Sequence, residues 1–596
     1  MSQLQEEVTG AASDRPFNLD EQGGSKGHPK GLYLLFTTEM WERFSYYGMR
    51  AILVLYMTKV LGFMDSRATE IYGNFTGLVY LTPLIGGYIS DRYWGNRKSI
   101  IVGGFIIALG QFVLFFSASF VHSLPQMAPI LLILGLFLLI SGNGLFKPNI
   151  STMVNQLYAP GDKRIDSAFT IFYMGINLGA LFSPIICGTL AEKVDFRWGF
   201  FAAGIGMVAG LIVFILLKNK YVVRADGQPV GMKPEKIAPT VTEGTEGVAA
   251  PKGNTMGRGI LWLVIFAVLF FLFYQFVFEQ NYISAFIFSC SIASGGFIIT
   301  DPTLTTVERK RIWVLYIVAF FVIFFWSAFE QAGASLTIFA EQSTDRVIFG
   351  WEMPASWFQS VNPVAIIIFA PLFAMLWTGL GKRNKEPSSP MKQAIGLFLL
   401  SIGYFVIAFG VKGVDASIKV SMIWLISMYM IHTWGELCLS PIGLSMVARL
   451  APVRLASLLM GVWFMANAMA NDMSGQLGKL YPESVVPVAM VQGVETTNNV
   501  NILPPNFTVD KAQTVNNEKV IGYNKLDFSK ITNDDLQKSI KTEIASQQHS
   551  IEKNFLGFRI ADLHDFFMIF VVMAGIAAII LFFLSSTLLK MMGGIR

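Results

Sequence analysis

The stretch EMWERFSYYGMR, residues 39–50, lies inside an apolar run from Gly31 to Val60. At about 100° per residue, Glu39, Glu42, Arg43, Tyr46, Tyr47 and Arg50 share a helical arc of roughly 140°. Met40, Trp41, Phe44 and Met49 take the other side. A charge at the centre of a lipid-facing helix costs ~2.5–3.5 kcal/mol, so four cost on the order of 10 kcal/mol. They must face a hydrated cavity or one another, the setting of solute paths and proton relays. A purely structural ion-pair network is the competing reading, and two tyrosines on the same stripe count against it.

Other apolar segments offer partners. Glu330 stands in FFWSAFEQAGASL, Glu436 in HTWGELCLSPIGL and Lys147 in GNGLFKPNIS. Lys147 can instead snorkel toward its helix's inner end. Asn177 in FYMGINLGALFSP and Asn362 in FQSVNPVAII can be sites or interhelical hydrogen bonds. Trp326 and Trp463 can be walls of a site or plain packing. Glu279 repeats the FEQ context of Glu330 but falls at a helix tip, where a carboxylate is cheap, and is set aside as solvated. No Ser-His-Asp, HExxH or phosphate-loop arrangement occurs, and of the five histidines only His432 is deep in an apolar span. A membrane enzyme is therefore not expected. Cys187, Cys290 and Cys438 lie in apolar segments and suggest neither a disulfide framework nor a metal site.

The elements that must position these residues follow from composition. The chain has 596 residues, 53% hydrophobic and 14% charged, too apolar for a soluble protein of this size. Apolar runs long enough to cross a ~30 Å core recur along it. They predict fourteen helices, at 31–60, 69–90, 99–120, 127–157, 165–190, 197–217, 260–278, 281–300, 311–340, 356–379, 392–411, 419–448, 455–481 and 562–590. Arg92, Arg97 and Lys98, Lys163 and Arg164, Arg309 to Arg311, Lys382, Arg383, Lys385 and Lys392, and Arg449 and Arg454 fall in short loops on the amino-terminal side. The positive-inside rule then places both termini in the cytoplasm. The net charge of +5 follows these loops and gives no reason to expect nucleic acid.

The expected division is a disordered cytoplasmic tail at 1–30, a six-helix bundle at 31–217 and a basic cytoplasmic linker at 218–258. An inserted transmembrane hairpin at 259–300 and helices 7–11 of a second bundle at 301–481 follow. An external insert at 482–561 precedes the last helix and a cytoplasmic tail at 562–596. The insert is polar and Asn-rich. It reads as a loose loop or small appendage, in which KVIGYNKLDF can form a strand or two. It also contains the sequon Asn506-Phe507-Thr508.

Together these residues resemble the proton-dependent oligopeptide transporter family, a branch of the major facilitator superfamily. Its ExxER motif stands as Glu39-Met40-Trp41-Glu42-Arg43, followed by FSYYG. FTIFYMGINLGAL at 169–181 is similar to the family's fifth-helix signature, and GGYISDRYWGNRK at 86–98 to the superfamily loop between helices 2 and 3. KPN, FEQ, NP and GELCLSP follow in the family's order. The resemblance covers about 31–480 and 562–590 and is silent on the insert. It implies an all-α integral membrane protein of two six-helix halves plus the hairpin. Such a protein imports di- and tripeptides with protons across a bacterial inner membrane, as a monomer, with the proton gradient in place of a cofactor. Animal members carry a histidine where this chain has Gly73, so coupling here would rest on carboxylates.

By the same resemblance, Arg50 and Lys147 would meet the peptide carboxylate, with Tyr46, Tyr47 and Tyr80 beside them. Glu436, Asn177 and Asn362 would meet the ammonium and the amides, and Trp326 and Trp463 would wall the side-chain pockets. Glu39, Glu42, Arg43 and Glu330 would couple protons to opening. Asp91 and Arg97 would latch the inner side. Transport of another small anion such as nitrate, or sensing without transport, are the alternatives.

Overall fold

The computed structural model describes residues 27–593 apart from 160–161, 163, 225–226, 234–254, 415–417, 453–454, 504–508, 510–511, 516–517, 527, 529–530, 532 and 548. Most of the expected tail and linker, Lys163, Arg454 and the sequon at 506–508 lie outside the described residues. Helices occupy every segment expected to span. They are α1 (Lys30–Leu55), α2 (Asp65–Ile89), α3 (Asn96–Ser119), α4 (Met127–Gln156), α5 (Ile165–Lys193) and α6 (Phe196–Tyr221). Next come α7 (Thr255–Leu272), α8 (Tyr282–Ile299), α9 (Thr306–Phe329), α10 (Ser335–Gln342), α11 (Val361–Lys382), α12 (Ser389–Val411), α13 (Met422–Leu450) and α14 (Ala456–Gly478). The last three are α15 (Val488–Asn498), α16 (Asp534–Ala545) and α17 (Leu563–Met591). Among the described residues, ten spans are long and apolar enough to cross a membrane. α1 is not one of them, because four charges interrupt its apolar run.

α1 is the hub of its neighbours and packs on α5 and α6. α3 packs on α4, α12 on α13 and α17, and α14 on α2, α9 and α8. The α2–α14 crossing is a backbone contact. A Cβ built on Gly73 would lie 2.5 Å from Gly475 Cα and 2.9 Å from Asp472 O. Only glycine lets two helices meet so closely. In this arrangement Gly73 has no room for a side chain.

The expected helix at 311–340 is broken. α9 ends at Phe329, a 3₁₀ turn spans Glu330–Gly333, and α10 restarts at Ser335. The reason lies across the interface. A Cβ at Gly333 would fall 1.9 Å from Tyr72 Oη. The turn thus admits the Tyr72 hydroxyl and frees the Glu330 side chain from the helix surface.

The described residues of 482–561 fold into a small appendage with its own core, the second of the two expectations, and not a loose loop. Short pairs β1 (Thr344–Asp345) with β4 (Val420–Ser421), and β2 (Val347–Ile348) with β3 (Trp351–Glu352), lie outside it. Within it, β5 (Ser484–Pro487), β6 (Gln513–Val515), β7 (Glu518–Gly522) and β8 (His549–Ser550) form a sheet in the order β6-β7-β5-β8. A hairpin of β9 (Lys553–Phe555) and β10 (Phe558–Ile560) leads into α17. Val486, Val491, Ile502, Ile521, Ile540 and Ile544 belong to a core of its own. The KVIGYNKLDF stretch supplies β7 and then a 3₁₀ turn.

Two lysines fasten this unit to the bundle. Lys525 Nζ donates to Thr58 O at 2.7 Å and Phe63 O at 2.9 Å, beyond the end of α1. Lys553 Nζ donates to Lys479 O at 2.5 Å and Tyr481 O at 2.8 Å, beyond the end of α14. Helix ends leave carbonyls without intrahelical partners, and a cation there meets both the orphan oxygens and the helix dipole. Glu483 Oε1 accepts from Ser66 N at 2.8 Å, capping the start of α2. Burial pushes both ammonium pKa values down, against Asp65 and Glu483 for Lys525 and against Glu483 and Asp65 for Lys553. Glu279 is exposed as expected, and it also pairs with Lys479 at 2.9 Å.

Lys525→Met removes two charge-assisted bonds to partly buried carbonyls, worth about 1–3 kcal/mol each. It should lower the melting temperature of the purified protein by several degrees. Lys538→Met, at an exposed site on the same unit, should leave it unchanged.

Candidate functional site

The helix 1 stripe resolves into two clusters. In the first, Arg43 Nε donates to Glu39 Oε1 at 2.7 Å and stands 2.9 Å from Glu42 Oε2. All three residues are buried, Glu42 with no exposure. Asn143 Nδ2, from α4, donates to Glu42 Oε1 at 3.0 Å. In the second cluster, Arg50 pairs with Glu330 through Nη2 and contacts Tyr72 Oη through Nε. Its guanidinium also lies 5.8 Å from the Tyr47 ring centroid and 5.6 Å from that of Tyr72. The break after α9 is what lets Glu330 reach it.

Lys147 is half-buried on α4, with Nζ 4.2 Å from the Tyr80 ring centroid. Among the described residues no carboxylate lies within 4 Å of it, although Glu42 and Glu330 both act on it electrostatically. Glu436, buried on α13, accepts from Asn362 Nδ2 at 2.8 Å. Asn362 also donates to Thr433 Oγ1 at 3.0 Å. No cation pairs with Glu436 among the described residues, and its charged neighbour is Glu330. Among the described residues the interior therefore holds two ion clusters, in which Glu39 Oε2 and Glu42 Oε2 lack a hydrogen bond, one cation resting on an aromatic face, one carboxylate held by an amide, and Asp472 on α14, fully buried without an ion partner.

The remaining expected residues fall at different distances from this centre. Tyr46 packs edge-on to Tyr47, with centroids 5.4 Å apart. Tyr47 and Tyr80 both lie in the field of Arg50 and Glu330. Asn177 is buried and donates to Tyr173 O at 2.9 Å, within its own helix. Trp326 packs on Phe325 and Phe329. Trp463 fills the space left by Gly443, where a Cβ would lie 2.2 Å from Trp463 Cζ2.

Asp91 and Arg97 stand in different surroundings. Asp91 is exposed, and no ion pair joins it to Arg97 among the described residues. Arg97 is buried and donates to Val230 O at 2.5 Å and to Asn219 Oδ1 at 3.0 Å, and it also reaches Val222 O. It fixes the start of α3 to the end of α6 and to the first residues of the expected linker. Carbonyls of that turn outcompete a solvent-exposed carboxylate for the guanidinium.

Asn143, Tyr72 and Thr433 were not among the expected site residues. Asn143 precedes Lys147 by four residues and Thr433 precedes Glu436 by three, so each shares its neighbour's helical face. That spacing was a usable signal. Tyr72 had none beyond being an aromatic residue in an apolar helix.

Membrane-length helices around interior charges define an integral membrane protein with a polar heart. A profile of the POT family matches residues 97–491. The "Uncharacterized transporter YclF" of Bacillus subtilis is 36% identical over 479 residues, covering 79% of this chain and 92% of the relative. The "Peptide transporter YePEPT" of Yersinia enterocolitica is 36% identical over 466 residues, covering 76% and 88%. The crystal structure of a "peptide transporter POT in complex with sulfate" superposes with TM-score 0.70 at 30% identity, covering 96% of this chain and 98% of that one. The chain belongs to the POT family and has a fold of the major facilitator type.

Breaking a buried pair by removing one partner costs about 3–5 kcal/mol, because the survivor is left charged in a dry site. Arg50→Met should therefore lower the melting temperature markedly. Arg50→Met with Glu330→Met should lower it less, which a thermal double-mutant cycle measures.

Proposed function

We propose that this protein is a proton-coupled symporter that imports di- and tripeptides by alternating access. The observation that carries the reading is a pair of opposite charges inside the bundle. Lys147 on α4 and Glu436 on α13 each lack an ion partner among the described residues. A peptide is a zwitterion, and these are the two charges it needs. Lys147 and Arg50 take its carboxylate, with the hydroxyls and ring faces of Tyr46, Tyr47 and Tyr80 alongside. Glu436, oriented by Asn362, takes the ammonium, and Asn177 takes the amides. Trp326 and Trp463 wall the side-chain pockets. The names of the relatives and the solved structure point the same way. A small inorganic anion such as nitrate would use the cation and leave Glu436 without purpose, so that reading ranks second. The work is transport and not catalysis.

Fourteen helices cross the membrane in this reading. Residues 31–217 form one half, and 301–481 with 562–590 the other, with 259–300 as an inserted hairpin. Both termini lie in the cytoplasm of a bacterial cell, and 482–561 lies outside. The protein works as a monomer. The contact of Gly73 with Gly475, the Arg50–Glu330 pair and the grip of the insert on α1, α2 and α14 support an outer end that is closed. Coupling is competition for cations. A substrate carboxylate arriving at Arg50 and Lys147 displaces Glu330 and weakens the hold on Glu42. Each glutamate, released from its cation, takes a proton. Protonation uncouples α1 from α9 and α4 and shifts the balance between outward and inward opening. Glu39 keeps Arg43 neutralised throughout. Asp91 and Arg97 latch the inner end.

The deciding measurement is uptake of labelled di-alanine into proteoliposomes with an inward proton gradient. Accumulation blocked by unlabelled dipeptide, and not by nitrate or free alanine, is the expected result. Competition by nitrate alone would overturn the peptide reading, and binding without accumulation would leave a sensor.

Glu436→Gln should weaken binding of a free dipeptide about tenfold or more and leave its N-acetylated form unaffected. Equal loss for both ligands would remove the amino-end assignment. Glu42→Gln should keep counterflow of labelled for unlabelled peptide and abolish gradient-driven accumulation, because the empty carrier can no longer release that proton. Unimpaired accumulation would pass the coupling role to Glu330.

A further inference from the structure

Outside the charged centre, a groove of about 370 Å³ lies between α7, α8, α9 and α14 and has no role in the proposed transport. Trp262, Ile299, Trp313, Phe320 and Val462 are among its lining residues. Along α9 it runs from Trp313 to Ile323, about 15 Å at the helical rise and so one leaflet of a ~30 Å core. It lies in the half of the bundle away from the 482–561 unit. α7 has no buried residue in its membrane-length window and packs on α8. The space between α7 and α9 therefore has a wall on each side and no protein filling.

The mouth of the groove is basic. Trp262 Nε1 donates to Thr300 Oγ1 at 3.0 Å, fixing one tryptophan at the rim. Arg309 and Lys310 are exposed, four and three residues before Trp313 and so on its face of α9. The nearby carboxylates are engaged. Asp301 pairs with Arg258 at 3.3 Å, and Glu308 closes the capping box with Thr305 at the start of α9. Arg309, whose Nη2 also reaches Asp301 O at 3.5 Å, and Lys310 outnumber the carboxylate beside them, Glu308, and point outward over an apolar slot. An apolar slot one leaflet long below two cations matches an acyl chain below a phosphate.

We propose that this groove binds an anionic phospholipid of the surrounding bilayer, one acyl chain between α7 and α9 and the phosphate on Arg309 and Lys310. The lipid is then the packing that seats α7 against the bundle. The inference rests on the chain spanning a bilayer and holds whichever solute the carrier moves.

The test uses the purified full-length protein in detergent, titrated with phosphatidylglycerol or phosphatidylethanolamine of identical chains. Bound lipid is counted by native mass spectrometry. Phosphatidylglycerol should be retained about tenfold more tightly. Arg309→Glu with Lys310→Glu should erase that preference, and both sites are exposed, so folding is not at stake. Gly295→Leu should displace either lipid. A Cβ there meets only Tyr316, at 3.7 Å, so the side chain grows into the groove. Equal retention of the two lipids by the unaltered protein, or a preference unchanged in the double variant, would overturn the headgroup assignment. Full retention in Gly295→Leu would place the chain elsewhere.

Discussion

Charge that enters a dry helix bundle must be answered inside it, and the answer given to α1 organises the centre of this protein. Glu39, Glu42 and Arg43 settle most of their charge within one turn, and Asn143 supplies the missing donor from α4. Arg50 has no such neighbour on its own helix. Its counter-charge comes from Glu330, on a segment that must stop being helical to deliver it. The break is completed by Gly333, whose bare Cα makes room for Tyr72. One ion pair thus sets a helix end, a glycine and a tyrosine on three separate elements.

The same accounting separates groups that hold the fold from groups left over. A carboxylate between a guanidinium and an amide is at rest. A carboxylate with only an amide, like Glu436, retains most of its appetite for a cation. A lysine on a tyrosine face, like Lys147, is stabilised by less than a salt bridge supplies. These two positions are cheap to satisfy with a passing zwitterion because the protein has not satisfied them itself. The tight pairs are the reverse, and any ligand that takes them must give something back.

Much of this was legible beforehand, for definite reasons. The α1 stripe showed because a charged arc in an apolar run has one physical solution. Glu330, Glu436 and Lys147 showed by the same cost. The break at Glu330–Gly333 did not show, because its composition stays apolar and its cause, Tyr72, lies more than 250 residues upstream. The bonds of Arg97 did not show, because its place in a loop says nothing about which carbonyls a buried arginine will find. The 482–561 unit was opaque. Its strands are two to five residues long, its core valines and isoleucines carry no period, and Lys525 and Lys553 read as ordinary surface charge.

The grip of Lys525 on the end of α1 also sets an order of assembly. Its bond to Thr58 O joins groups 467 residues apart. At about 5–20 residues per second, the ribosome needs roughly 20–90 seconds to bring the second group into being after the first. For that interval the carbonyls beyond α1 depend on water. The end of the first helix is therefore among the last parts of the protein to be finished, and a nascent chain halted before residue 525 carries all of its first six helices with that end still uncapped.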